Sequence, residues 1–142
     1  MKNIRILSIV TFAFMLLSYN GYAQSKQSKS GNRIEVIDFH STHRCTTCNA
    51  IEANTKYTLD TYFANELKSG KLTFQSINVD YEENYEMAEK YEASGTSLFL
   101  TIVINNKETI INLTNFAFSK GRDKKAFSDE LKQKIEEQLI KL

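Results

Sequence analysis

The residue types able to do chemistry are concentrated in one stretch, DFHSTHRCTTCNAIEANT. It contains both cysteines and both histidines of the chain, and an arginine beside the first thiol: Cys45, Cys48, His40, His43 and Arg44. Two thiols separated by two residues can cycle between dithiol and disulfide through a mixed-disulfide intermediate. They can also form an idle disulfide or bind a metal. The spacing favours redox chemistry, because a disulfide that closes so short a loop stabilises a fold little.

A strand is predicted before the cysteine pair and a helix after it. The segment IEVIDF, residues 34–39, is β-branched and apolar, and a helix is expected to begin near Cys45. A helix N-terminus carries partial positive charge and free N–H groups, which stabilise a thiolate. Cys45 is therefore the predicted nucleophile, and Cys48, turned inward, the predicted resolving thiol. Arg44, and His43 when protonated, are predicted to lower the pKa of the Cys45 thiol.

The same residues also allow a metal site. His40, His43, Cys45 and Cys48 form the pattern H-x2-H-x-C-x2-C. Two imidazoles and two thiolates satisfy zinc or copper, although ligands this close in sequence strain a tetrahedral site where a helix begins. The alternative function is then a module that binds metal or docks a larger enzyme without thiol turnover. The redox hypothesis needs no cofactor beyond the cysteine pair.

Hydrophobic patterning supplies the elements around this stretch. The helix after Cys45 is predicted to continue to Ser69-Gly70, with Tyr62 on its buried face. The remaining predicted segments are a strand over Leu72–Val79, an acidic helix over Glu82–Glu92, a central strand over Leu98–Ile104, a turn at Asn105-Asn106, a strand over Glu108–Leu113, a connection containing Phe116 and Phe118, and a helix over Gly121–Leu142. This order predicts an α/β fold, with one mixed sheet of about four strands flanked by helices.

Two further predictions concern individual polar side chains. Strand alternation puts Asp38 on the same face as Val36, where an unpartnered carboxylate is costly. The tyrosines near the acidic helix are expected to pack against the sheet rather than to form a binding surface: Tyr81, Tyr85 and Tyr91.

The first 23 residues are predicted to be a cleaved signal peptide. Lys2 and Arg5 precede the apolar run Ile6–Leu17, and small residues follow at Gly21 and Ala23. The apolar run is shorter than the roughly 20 residues needed to span a bilayer. We therefore expect an exported protein, periplasmic or extracellular, with no membrane attachment after cleavage.

The remainder is predicted to be a disordered polar leader, residues 24–32, followed by one folded domain, residues 33–142. Removing Lys2 and Arg5 changes the formal charge from +1 to −1. A nearly neutral surface gives no reason to expect a nucleic-acid partner. An oxidising compartment allows a disulfide to persist. We expect a monomer.

Four segments resemble the thioredoxin-like superfamily: VIDF before the cysteine loop, INVD at the end of the second strand, AEKYEASGTSLFL before the third strand, and NNKE at the hairpin. The resemblance covers residues 34–142. More narrowly, FHSTHRCTTCNAIEANT resembles a small exported thioredoxin-like group, labelled the nitrophenyl compound nitroreductase subunit ArsF family.

The resemblance implies a thiol–disulfide oxidoreductase acting on protein thiols or disulfides, or on a redox partner subunit. Nitroreduction would require that the partner carry the cofactor. Asp38 is implied as the buried proton acceptor for Cys48, with a pKa raised by desolvation. Thr96 and Ser97 are implied to border the substrate groove. Ser97 stands where the family has a cis-proline, and because the chain has no proline we expect a trans bond there.

Overall fold

The computed structural model describes residues 31–142, so the predicted signal peptide and residues 24–30 of the predicted leader lie outside the described residues. The elements in chain order are β1 Arg33–His40, α1 Thr46–Tyr62, α2 Ala64–Ser69, β2 Leu72–Asn78, a 3₁₀ turn Glu82–Asn84, α3 Tyr85–Lys90, β3 Ser97–Ile104, β4 Lys107–Asn112, α4 Thr114–Lys120 and α5 Lys124–Leu139. Within residues 31–142, no helix is both long and apolar enough to cross a bilayer.

The four strands form one mixed sheet in the order β2-β1-β3-β4. β1 and β2 are parallel and joined through α1 and α2, with Ile34 opposite Leu72. β3 is antiparallel to β1, with Ser97 opposite Phe39, and β4 returns antiparallel beside β3. A parallel βαβ unit followed by a β-hairpin and a C-terminal helix is the thioredoxin-like arrangement. The predicted fold class is confirmed.

The alternation of side chains along the central strands creates two cores. On one face, which we call the α1 face, Ile34 and Val36 pack with α1 and α5 through residues that include Ile51, Leu59, Phe127, Leu131 and Ile135. On the other, the α3 face, Ile37 and Phe39 pack with Ile77, Ala88, Tyr91 and Phe99. β1 and β3 are covered on both sides, which explains their nearly continuous apolar sequences.

The predicted turn at Asn105-Asn106 is confirmed by its backbone. Both residues have positive φ, 51° and 63°, as a two-residue hairpin that matches the strand twist requires. Gly70 ends α2 with φ 76°, the left-handed conformation that glycine adopts without steric cost.

The prediction of one continuous helix from Cys45 to Ser69 is wrong. Phe63, with φ −129°, interrupts it and separates α1 from α2. The Phe63 ring is buried in the core on the α1 face, so the break lets this large side chain and the following turn both reach the sheet. Tyr62, predicted to be buried, is 42% exposed because it precedes this break.

Four other local predictions differ from the structure. Tyr81 and Tyr85 are exposed, and of the three tyrosines near the acidic segment Tyr91 alone packs in the core. The acidic segment is a 3₁₀ turn without buried residues, followed by a short helix in which Ala88 is buried. The connection with Phe116 and Phe118 is helical, and the last helix begins only at Lys124, where Asp123 caps it.

Candidate active site

Cys45 caps the N-terminus of α1. Its backbone is extended, with φ −75° and ψ 163°, and its sulfur accepts a hydrogen bond from the backbone N–H of Cys48 at 3.0 Å. A serine or aspartate oxygen commonly occupies this capping position. In the reduced protein, the same N–H and the partial positive charge of the helix end would stabilise a Cys45 thiolate. The predicted location of Cys45 at the helix tip is confirmed.

Cys45 and Cys48 are joined in a disulfide, with their Cα atoms 5.0 Å apart. Cys45 is exposed, whereas Cys48 is half-buried within the first turn of α1. A substrate can therefore reach the sulfur of Cys45 first, and Cys48 is placed to react with it in a second exchange step. The roles of nucleophile and resolving thiol remain predictions.

The loop between β1 and α1 is anchored to the end of β2. The backbone N–H of Thr42 donates to Asp80 Oδ2 at 2.7 Å, and the side-chain amide of Asn78 donates to Thr42 Oγ1 at 3.0 Å. The first of these bonds is the main reason that the pKa of Asp80 lies below its ordinary value. The backbone N–H of Val79 donates to the carbonyl of His40 at 2.8 Å. These contacts fix the approach of the chain to Cys45.

The two histidines do not complete a metal site. His40 Nδ1 lies 3.0 Å from the carbonyl oxygen of Ser41, and His43 is exposed. Within residues 31–142, no three histidine, cysteine, aspartate or glutamate side chains are grouped as metal binding requires. The zinc or copper site predicted as the alternative, on these histidines and the two cysteines, is therefore not assembled in the disulfide form.

Asp38 lies on the α1 face of β1 and is fully buried. Its Oδ2 accepts hydrogen bonds from Ser76 Oγ at 3.4 Å and from Arg44 Nη2 at 3.3 Å. Its Oδ1 has no hydrogen-bond partner among the described residues. Burial, and then the negative charge of Glu52, raise the pKa of Asp38 to about 7, against the opposing effect of Arg44. The predicted burial and the predicted direction of the pKa are confirmed, and the proton-acceptor role stays a prediction.

Arg44 was predicted to act on the Cys45 thiol, but its guanidinium contacts two carboxylates. One terminal nitrogen contacts Asp38, and the other forms a short hydrogen bond to Glu52 Oε2. Arg44 is only 18% exposed in its side chain, so these charges interact with little screening by solvent. Its positive charge therefore lies beneath the cysteine-bearing helix. Tuning of the Cys45 thiol by Arg44 remains an untested prediction.

Glu52 belongs to the site, although the sequence analysis did not single it out. Its side chain accepts from Arg44 on one side and from Lys56 at 2.5 Å on the other. Burial alone would raise the pKa of Glu52, but these two hydrogen bonds outweigh it and lower the pKa to about 2. One signal was present: Cys48, Glu52 and Lys56 follow at four-residue steps and therefore share a helix face.

Thr96 and Ser97 lie near the loop that leads to the cysteines. Ser97 begins β3 and pairs with Phe39 near the end of β1. The preceding Gly95 packs beside Ser41, since a Cβ added to Gly95 would lie 3.5 Å from Ser41 Oγ. The described residues contain no cis peptide bond, so the bond before Ser97 is trans as expected. The substrate-groove role of both residues remains a prediction.

A second segment that the sequence analysis missed supports α1 from the other side. Arg122 Nε donates to Thr47 Oγ1 at 2.8 Å, in the first turn after Cys45. Gly121 packs so closely on α1 that an added Cβ would lie 3.0 Å from both Thr47 and Ile51. The carbonyl of Gly121 also accepts from the side-chain amide of Asn54 at 3.0 Å. The loop before α5 therefore fixes the helix end that carries the disulfide.

No protein-family model matches the chain, and no curated protein matches it. Among solved structures, it is similar to a thioredoxin from Thermus thermophilus at 21% identity, covering 71% of this chain and 72% of that one, with a TM-score of 0.47. Thioredoxins from Plasmodium falciparum and Fasciola hepatica match at 20% and 19% identity, with TM-scores of 0.44 and 0.43.

The Plasmodium match covers 64% of this chain and 70% of that one, and the Fasciola match covers 75% and 81%. The thioredoxin-like fold assigned to this protein rests on its own strand order and connections.

Proposed function

We propose that the protein is an exported thiol–disulfide oxidoreductase whose Cys45–Cys48 pair cycles between dithiol and disulfide. The observation that carries this proposal is the position of Cys45: an exposed sulfur at a helix N-terminus, bonded to a half-buried partner in the first turn. A structural disulfide gains nothing from this placement, whereas a thiolate nucleophile is stabilised by it.

In the reducing direction, the Cys45 thiolate attacks a substrate disulfide, and one substrate sulfur leaves as a thiolate. Cys48 then loses its proton, and its sulfur attacks Cys45, which forms the intramolecular disulfide and releases the second substrate thiolate. The substrate gains two electrons and the cysteine pair loses two. We assign Asp38 as the acceptor of the Cys48 proton, because a buried carboxyl with a pKa of about 7 can exchange protons near neutral pH. The reverse sequence oxidises a substrate dithiol.

The proposed setting is the periplasm or the extracellular space. It is supported by the signal-peptide features of residues 1–23 and by the persistence of disulfides in oxidising compartments. The proposed substrates are protein thiols or disulfides, or a redox partner subunit of a reductase complex. The resemblance to the nitroreductase subunit group motivates that second possibility, in which the protein is a monomer that passes electrons to a cofactor-bearing partner.

Trapping of the mixed disulfide tests the proposal. Cys48→Ser should accumulate a covalent adduct when incubated with a small disulfide, because Cys45 can attack but no second thiol can release it. Cys45→Ser, the matched control, should form at least tenfold less adduct at neutral pH, since Cys48 is half-buried and away from the helix tip. Mass spectrometry of the adducts separates the two. Equal trapping by both variants, or by neither, would refute the assigned roles.

A further inference from the structure

A row of charged side chains runs from the surface to the buried carboxyl under α1. It begins at Lys56, whose side chain is 53% exposed, and passes through Glu52 and Arg44, at 15% and 18%, to Asp38 at 1%. Successive members are joined by ion pairs. Their charges alternate in sign, so each member controls how strongly the next one acts on Asp38.

Glu52, a member of the row, shares a helix with the resolving cysteine. Glu52 follows Cys48 by four residues in α1, so the two side chains lie on the same face of the helix, one turn apart. Arg44 directly precedes Cys45 and reaches beneath the helix to Asp38. Arg44 and Glu52 therefore each belong to a segment that carries a reacting sulfur.

We propose that Glu52 is a positioning residue of the redox site, and that the Arg44–Glu52 pair acts on the buried Asp38 carboxylate rather than on the exposed sulfur of Cys45. This inference rests on the proposed function, because it concerns the step in which Cys48 gives up its proton. Glu52 holds the Arg44 guanidinium against Asp38 and neutralises part of the positive charge of that guanidinium. Asp38 therefore remains able to both accept and return a proton.

The geometry predicts opposite effects for the two members of the pair. Removing Arg44 takes away the positive charge that stabilises the ionised form of Asp38, so its pKa should rise. Removing the charge of Glu52 takes away a nearby negative charge and leaves Arg44 uncompensated, so the pKa of Asp38 should fall. Single charges at this range shift a carboxyl pKa by about one unit or more.

The experiment compares Arg44→Met and Glu52→Gln in two measurements. Carbon NMR of the Asp38 carboxyl in the oxidised protein gives its titration midpoint directly. The reduced protein is then mixed with an equimolar amount of the aromatic disulfide dithiobisnitrobenzoate at a series of pH values. The first nitrothiobenzoate released reports attack by Cys45, and the second reports attack by Cys48. In both measurements the midpoint should move up for Arg44→Met and down for Glu52→Gln.

Two further variants separate charge effects from structural damage. Glu35→Gln makes the same change in another half-buried arginine–glutamate pair on β1, with Arg33, and should leave the midpoints unchanged. Lys56→Met removes the exposed end of the row and its ion pair with Glu52, but leaves the contact between Arg44 and Asp38 in place. It should raise the pKa of Asp38 by less than Arg44→Met does.

Opposite shifts would support the inference. The inference would be overturned if the midpoints of both variants moved in the same direction, or if the midpoint of Glu52→Gln did not move. The proposed function would still stand in either case, provided that the wild-type protein releases both nitrothiobenzoate equivalents. A wild-type protein that releases no second equivalent would refute the proposed function, and the inference with it.

Discussion

Two buried polar groups, one on each face of the sheet, differ in how fully their hydrogen bonds are satisfied. On the α3 face, the hydroxyl groups of Tyr91 and Thr101 lie 2.6 Å apart and satisfy one another. On the α1 face, Asp38 is equally buried, shares its Oδ2 between Ser76 and Arg44, and has no partner for Oδ1 among residues 31–142.

The difference separates a structural polar group from a reactive one. Tyr91 packs with Phe39 and Phe99 at ring-centroid distances of 5.3 and 5.1 Å. Burial raises the pKa of the Tyr91 hydroxyl above its ordinary value, which favours the neutral form. A satisfied neutral pair specifies packing. An incompletely satisfied ionisable group costs stability, and groups of this kind are typical of functional sites. Asp38 is therefore placed for chemistry, and the Tyr91–Thr101 pair for the fold.

Asp38→Asn should give the largest effect on stability. The pKa of Asp38 is about 7 in the folded protein against an ordinary value of 3.8, so the folded state binds this proton more tightly. Its contribution to stability is fully present below about pH 4 and is lost as the pH rises through 7. Asparagine removes this loss, so at about pH 8 the free energy of unfolding should rise by about 4 kcal/mol. Denaturant unfolding across this pH range measures it.

The same variant should slow release of the second thiol equivalent by at least about tenfold near neutral pH, because the proton acceptor is lost. Val36→Ala, two residues earlier on the same face of β1, is the control. It should destabilise the protein through lost packing without changing the pH dependence of stability. A decrease in stability of Asp38→Asn at about pH 8 would contradict the account.

Tyr91→Phe tests the other face of the sheet. It leaves Thr101 Oγ1 buried without its partner, which should lower the free energy of unfolding by about 1–2 kcal/mol. The midpoint of the Asp38 titration and both rates of thiol release should stay unchanged. Denaturant unfolding measures the stability of the variant, carbon NMR measures the Asp38 midpoint, and stopped-flow absorbance measures the two rates. A changed rate of the Cys48 step would mean that the two faces are coupled.

Ser76→Ala should give the smallest effect. Ser76 donates to Asp38 Oδ2 at 3.4 Å, a long hydrogen bond that favours the ionised carboxylate. Its loss should raise the pKa of Asp38 by less than the removal of Arg44 does. The carboxyl NMR titration measures this shift, with Ser69→Ala, at the C-terminal end of α2, as the control. A fall in the pKa of Asp38 would contradict the assigned hydrogen bond.

Local sequence signals predicted the parts of the site that depend on backbone structure. A capping position at Cys45 and a buried Asp38 both follow from strand alternation and helix periodicity, which act over a few residues. The direction of the Arg44 side chain could not be read in this way. It is set by Asp38 and Glu52, which approach only when β1 and α1 pack together.

The same limit explains the errors in the fold. Periodicity extends through Phe63 without interruption, because the residues on either side remain apolar at helical spacing. At the break, the Phe63 ring is buried in the core on the α1 face, a tertiary contact that helical spacing does not report. Tyr85, Ala88 and Tyr91 follow one another at three-residue steps, which predicts one buried helix face. In the structure a 3₁₀ turn precedes α3, and Tyr85 is exposed. Such local changes of helix type carry no strong compositional signal.

Equilibrium titration against glutathione redox buffers tests whether Cys45 and Cys48 cycle reversibly between dithiol and disulfide. The protein is incubated at each buffer ratio, approached from both the oxidised and the reduced side, and the fraction of free thiols is measured by alkylation and mass spectrometry. The proposed redox cycle predicts one two-electron transition, with the same midpoint from both directions, in which Cys45 and Cys48 are reduced and oxidised together. A pair that stays oxidised or reduced at every ratio, or that does not return after reduction, would contradict it.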